Sequence, residues 1–181
     1  MIIAHADWPS PGQKVIQANS LTSGLDIIYS TPQLAVQNKE LMTIAWSLNH
    51  PAGFLALSVT HLTSDPPIIT ISIGKSTSAI KTVISSNSLA VNYIRKSDLE
   101  LVDIFSGKTN LKGSDRFDHK RWDKLSTGSP ILKDAVSVLD CCVEETIERY
   151  DTLLILAKIV NFTDNEFLDP MIHFRGKFDK L

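Results

Sequence analysis

The chain has 181 residues, 43% of them hydrophobic, with 18 basic against 20 acidic side chains and a net charge of −2. That length suits one domain with extensions and supports a real core, while a balanced charge with no basic run argues against nucleic acid as a partner. No apolar stretch is long enough to span a bilayer as a helix, and the start, MIIAHADWPSPGQK, lacks the basic and apolar regions of a signal peptide, so the expectation is a cytoplasmic protein with no membrane partner.

Residues 1–40 are expected to form an arm or lead-in, with short strands at Lys14–Gln17 and Leu25–Tyr29. Leu41–Trp46 has strand composition, Asn49-His50-Pro51 signals a turn, and Gly53–Leu62 returns as the next strand. The connection is too short for a parallel crossover, so the pair is predicted to be an antiparallel hairpin. Asp65-Pro66-Pro67 then marks a strand junction or an edge, because proline cannot donate a ladder hydrogen bond. The β-branched run Ile68–Ile73 follows, and after it Gly74-Lys75-Ser76-Thr77-Ser78. Two readings of that last stretch stand side by side. It is a hydroxyl-bearing loop that offers N–H groups and hydroxyls to an anion, or it is a polar turn between two core elements.

Ser78–Ser86 carries Ile80, Val83 and Ile84 at the spacing of one helix face, with Ser76, Thr77 or Ser78 as cap. Leu89–Ile94 reads as a strand, and Asp98–Ser106 as a helix with Ser97 as cap and Gly107 as stop. Lys108–Gly128 is polar and longer than an ordinary loop, with Phe117 and Trp122 to pin it down. Val136–Glu148 and the apolar run from Asp151-Thr152 onward are two long neighbouring strands, and Met171–Phe178 is the last. Cys141 and Cys142, if on a strand, point to opposite faces, one buried and one exposed. A reducing compartment disfavours a disulfide between them, and the five scattered histidines have no metal-ligand spacing. Six or seven strands and two short helices, without a βαβ series or a GxGxxG, predict a barrel and exclude a Rossmann domain.

From Leu41 to Leu181 the segments MTIAWS, GFLALSVTHLTSDPP, IITISIGKSTS, LAVNYI, DIFSG, SDRF, TGSPIL, LDCCVEE, DTLLILAKIV and MIHFRGKF follow one another in a set order. In that order the chain resembles the flavin reductase-like domains, which are FMN-binding split barrels. The resemblance implies a mainly β fold, a split β-barrel with short peripheral helices, over residues 41–181. It implies a homodimer with one flavin per subunit, FMN or FAD, and hydride transfer from NADH or NADPH. Reduced flavin would then serve a separate monooxygenase or another electron acceptor. Two other outcomes fit the same fold: a non-enzymatic FMN electron carrier, and a barrel that has lost its flavin. No catalytic side chain is implied, because the cofactor carries the electron chemistry.

Matched residue by residue, the resemblance places Ser58, Val59, Thr60 and Leu62 beside the flavin ring and ribityl chain. Lys75, Ser76, Thr77 and Ser78 match the loop that approaches the phosphate. Arg116 is a second candidate for phosphate or the nicotinamide nucleotide, with an ion pair to Asp115 or Asp118 as its structural alternative. The chain departs from the family at Leu55 and Leu57, which replace hydroxyls, at Ala79, which replaces a threonine, and at Asp151, which stands at a histidine position. These changes remove donors, so either the site is rebuilt with residues such as His61 or flavin binds weakly. His173 replaces an aromatic residue and either faces the pocket or is a structural histidine.

Overall fold

The computed structural model describes residues 41–47, 50–56, 58–118, 120–165, 167–174 and 177–179. The expected arm over 1–40, its two strands, Asn49 and Leu57 lie outside them. In chain order the elements are β1 (Leu41–Ser47), β2 (His50–Ala56), β3 (Val59–Ser64), β4 (Pro67–Gly74), α1 (Ile80–Ser86), β5 (Ser88–Tyr93), α2 (Leu99–Phe105), β6 (Trp122–Lys124), β7 (Pro130–Leu132), β8 (Ser137–Arg149), β9 (Thr152–Asp164), β10 (Ile172–Phe174) and β11 (Lys177–Asp179).

Seven strands form one sheet in the order β2-β1-β5-β8-β9-β4-β3, with every neighbouring pair antiparallel. The two edge strands, β2 and β3, are consecutive in sequence, with residues 57 and 58 between them. So short a connection spans at most roughly 10 Å, so the sheet curls until its edges approach each other. This is the split β-barrel. The hairpin of β1 and β2 is as expected, Leu41 opposite Ala56 and Ser47 opposite His50. The single returning strand Gly53–Leu62 is not: the run breaks after Ala56, and the chain crosses from one edge of the sheet to the other.

β8 and β9 form the spine. β9 alternates buried and part-exposed residues, with Leu153, Ile155, Ala157 and Ile159 pointing inward, as a half-buried strand must. Two irregularities in its pairing with β8 leave Val160 and Glu144 as extra residues. Such bulges bend the strands and increase their twist, which lets strands this long wrap a barrel. Cys141 is buried and Cys142 partly exposed, both free thiols, as alternation predicts.

Two cores result. The first fills the barrel, with Ile69, Ile71, Leu89, Leu139 and Ile155 among its fully buried members. The second lies on the outer face of β5 and β8, under α2 and the 108–135 excursion. β5 is therefore buried on both faces: Leu89 and Val91 enter the first core and Ala90 the second. Asn92, also buried, accepts the Leu132 N–H at 2.7 Å and docks β7.

The long excursion is held as its aromatics suggested. Phe105, Phe117 and Trp122 meet edge to face at centroid distances of 5.1 to 6.0 Å. Two polar anchors add to them. Asp98 accepts from Arg95 Nε and Nη2 at 3.0 Å and from Arg121 Nη2 at 2.8 Å. Asp140, buried on β8, accepts the Thr127 N–H at 2.9 Å and the Thr127 hydroxyl. Burial pushes the Asp140 carboxyl above its ordinary range, although hydrogen bonds from Thr127 and Ser126 oppose the shift.

Three local expectations need correction. Ala79 and Asp98, not Ser76–Ser78 and Ser97, stand at the helix N-caps, and neither makes a side-chain capping bond. Ala79 has no acceptor, and the arginines occupy the Asp98 carboxylate. Ile84 is 53% exposed, because a helix this short presents one row, Ile80 and Val83, to the sheet. Met171–Phe178 is not one strand but two three-residue strands, β10 and β11, paired with Ile172 opposite Asp179.

Candidate functional site

Among the described residues β3 is an edge strand with one neighbour, β4, and it carries three consecutive exposed residues, Thr60, His61 and Leu62. The register steps from His61 opposite Ile69 to Thr63 opposite Ile68. Leu62 is thus the bulged residue, 51% exposed, and a bulge at an edge re-aims its side chain. His61 Nε2 lies 3.2 Å from the Ser64 hydroxyl. At the other end of β3, the exposed Ser58 accepts the Ser72 N–H at 3.2 Å through its carbonyl. Ser72 is two residues before Gly74, roughly 7 Å along the strand. The start of β3 and the loop after β4 therefore share one end of the β3–β4 pair.

That loop, Gly74 to Ser78, is short of internal partners. Thr77 N–H donates to the Gly74 carbonyl at 2.9 Å, and Ile80 N–H to the Thr77 carbonyl at 3.1 Å. The hydroxyls of Ser76, Thr77 and Ser78, and the N–H groups of Ser76, Ser78 and Ala79, have no partner among the described residues. The Thr77 and Ser76 hydroxyl oxygens lie 3.8 and 4.0 Å from where a Cβ on Gly74 would stand, so the glycine leaves open space beneath them. Ala79 is fully buried in the barrel core, so its methyl is a packing group.

The loop is tied to the β8–β9 turn. Lys75 N–H donates to the Asp151 carbonyl at 2.7 Å, and the Lys75 ammonium pairs with Glu148 at 2.8 Å. The hydrogen bond from Lys75, and its charge, hold the exposed Glu148 carboxyl below its ordinary range. The Asp151 carboxylate accepts the Thr152 hydroxyl at 3.2 Å. Asp151 thus stands beside the 74–78 loop. The Glu148 contact had no sequence signal, because the residues are 73 positions apart.

Arg116 sits elsewhere. Its guanidinium donates to the Leu111 carbonyl at 3.1 Å and the Gly53 carbonyl at 3.4 Å, which places it on the β2 edge. The ion pair with Asp115 or Asp118 does not form among the described residues; backbone carbonyls take its donors instead. His173 is half-buried on β10, opposite Phe178 on β11. Leu55 packs against the second core. The site that the structure assembles is therefore β3 with the 74–78 loop and the β8–β9 turn. Arg116 lies apart from these elements, on the β2 edge.

An edge strand with exposed polar and apolar residues, ending beside a loop rich in open donors, suits a planar heterocycle carrying an anionic tail. A sequence model of the flavin reductase-like domain matches residues 42–181. The chain belongs to the flavin reductase-like domain family. An FMN reductase (NADH) RutF of Variovorax paradoxus is 35% identical over 130 residues, covering 72% of this chain and 71% of that protein. Among solved structures, the NADH:FAD oxidoreductase SgcE6 of Streptomyces globisporus superposes with a TM-score of 0.72 at 18% identity, covering 94% of this chain and 99% of the other. BorF, the flavin reductase component of a bacterial two-component tryptophan halogenase, superposes with a TM-score of 0.73 at 16% identity, covering 79% and 90%. Both structural likenesses concern the split-barrel fold. Among the described residues of this flavin reductase-like domain, no group of three or more His, Cys, Asp and Glu is placed to hold a metal, and no helix is long and apolar enough to cross a membrane.

Proposed function

We propose that residues 41–181 form a flavin reductase domain, preceded by a lead-in, that binds FMN and accepts hydride from NADH or NADPH. The observation that carries this reading is the open-donor loop at 74–78 beside the exposed edge strand β3, in a chain of this family. Ser58, Val59, Thr60, His61 and Leu62 would flank the ring and ribityl chain. Lys75 with the hydroxyls of Ser76, Thr77 and Ser78 would meet the phosphate. FAD presents the same ring and ribityl chain.

A bound flavin would supply the hydride acceptor for a nicotinamide donor. The residues of β3 would position the ring and those of the 74–78 loop would hold its tail, so that the two reactants could meet in a fixed geometry. No side chain is required to move a proton in that step. Asp151, held beside the 74–78 loop by the Lys75 N–H, would bring a negative charge toward the phosphate end of the flavin and oppose an anion there. A homodimer is part of the proposal, since closed two-fold dimers are the commonest soluble assembly. So is delivery of reduced flavin to a separate monooxygenase; BorF, of like fold, is named as the flavin reductase component of a two-component tryptophan halogenase.

The loop is tested by Lys75→Ala. FMN presents an anion to Lys75 and riboflavin does not. A hydrogen bond to a charged group is worth about 1.5–3 kcal/mol, so FMN affinity should fall about tenfold or more while riboflavin affinity holds. Fluorescence titration with both ligands reads the difference. Equal losses would remove the loop from the phosphate site, and no flavin binding by the unmodified protein would leave the empty-barrel alternative.

A further inference from the structure

The loop that presents Lys75 also holds its competitor. Gly74 stands opposite Thr152 in the β4–β9 ladder, Glu148 stands opposite Leu153 in the β8–β9 ladder, and the Lys75 N–H is fixed to the Asp151 carbonyl at 2.7 Å. These backbone constraints set the two side chains within reach, and they pair at 2.8 Å. Asp151 adds a second carboxylate in the same turn. The remaining charge there, Arg149, folds back to donate to the Glu148 backbone carbonyl at 2.7 Å and makes no ion pair with either carboxylate among the described residues. The Lys75 ammonium is therefore already paired with one carboxylate, Glu148, before any ligand arrives.

We propose that Glu148 is a specificity-determining residue of this loop: it occupies Lys75 and so weakens the preference for flavins that carry a 5′-phosphate over riboflavin. The proposal rests on the reading of the 74–78 loop as the phosphate site. A phosphate monoester carries about 1.5 to 2 negative charges at neutral pH. It must draw Lys75 from Glu148 and then sit close to a carboxylate. Riboflavin has the same ring and ribityl chain and meets neither demand. Lys75 and Glu148 side chains are 38% and 70% exposed, so their own pairing adds little to stability. Its effect falls on the ligand. A carboxylate and a phosphate monoester of about 1.5 to 2 charges, roughly 7–8 Å apart in a water-like dielectric, correspond to about a threefold to tenfold change in affinity.

The experiment is a titration of FMN and of riboflavin, by flavin fluorescence, into the full chain, Glu148→Gln and Lys75→Ala. Glu148→Gln should tighten FMN about threefold to tenfold and leave riboflavin unchanged; Glu148→Ala, which removes the same charge, should do likewise. If Lys75→Ala selectively weakens FMN but neither Glu148 variant alters the FMN-to-riboflavin ratio, the role of Glu148 is overturned and the phosphate loop stands. If Lys75→Ala also leaves that ratio unchanged, the phosphate reading falls with it.

Discussion

Asp98→Ala is expected to lower folding stability by about 3 kcal/mol, at the lower end of the range of roughly 3–5 kcal/mol for breaking a buried ion pair. The Asp98 side chain is 5% exposed and receives both Arg95 and Arg121. Removing it leaves two guanidinium groups part-buried. The loss stays at the lower end because both arginines retain Asp134, and Arg121 retains Glu100. The same carboxylate gives a pH signature. Burial pushes it up, but the hydrogen bonds and charges of Arg95 and Arg121 outweigh burial and hold it below the ordinary aspartate range. A depressed folded value means that its stabilisation is full above the unfolded value, about 3.9, and is lost as pH falls through the folded one. Urea unfolding should therefore show an acid limb, below about pH 4, that is flatter in Asp98→Asn than in the unmodified chain.

Ile71→Ala carries a comparable or larger loss, within the roughly 2–5 kcal/mol of such core truncations. Ile71 is fully buried at the middle of β4, opposite Val59 on β3 and Ile155 on β9. Among the described residues β3 has no other strand neighbour, so a cavity under Ile71 loosens the strand that the proposed flavin site depends on. FMN affinity should fall along with the unfolding midpoint. Ile84→Ala is the control. It removes methylenes from an exposed position on α1 and should change stability by about 0.5 kcal/mol or less. Equal effects at the two positions would contradict the core assignment.

Much of the fold was legible because burial leaves a period in the sequence. β9 shows its alternation openly, and β5 lacks it, with Leu89, Ala90 and Val91 in succession, because both of its faces are covered. The break between β2 and β3 was hidden. Residues on both sides of it are apolar or β-branched, and only the sheet order shows that the chain has changed edges there. The site was legible in part for a related reason. The hydroxyls and Lys75 sit on one short loop, so sequence proximity is spatial proximity. Glu148 reaches Lys75 only through the β8–β9–β4 register, and Arg116 finds the Gly53 carbonyl only through the excursion's packing on β2. Neither contact leaves a local pattern.

Anaerobic stopped-flow mixing of the FMN-loaded protein with NADH, and separately with NADPH, bears most directly on hydride transfer to a flavin held by this barrel. With at least one nucleotide, the absorption band of oxidised flavin should bleach faster than it does for free FMN at the same concentrations. FMN that binds tightly and is bleached by neither nucleotide would contradict the reductase assignment and leave an electron carrier in its place.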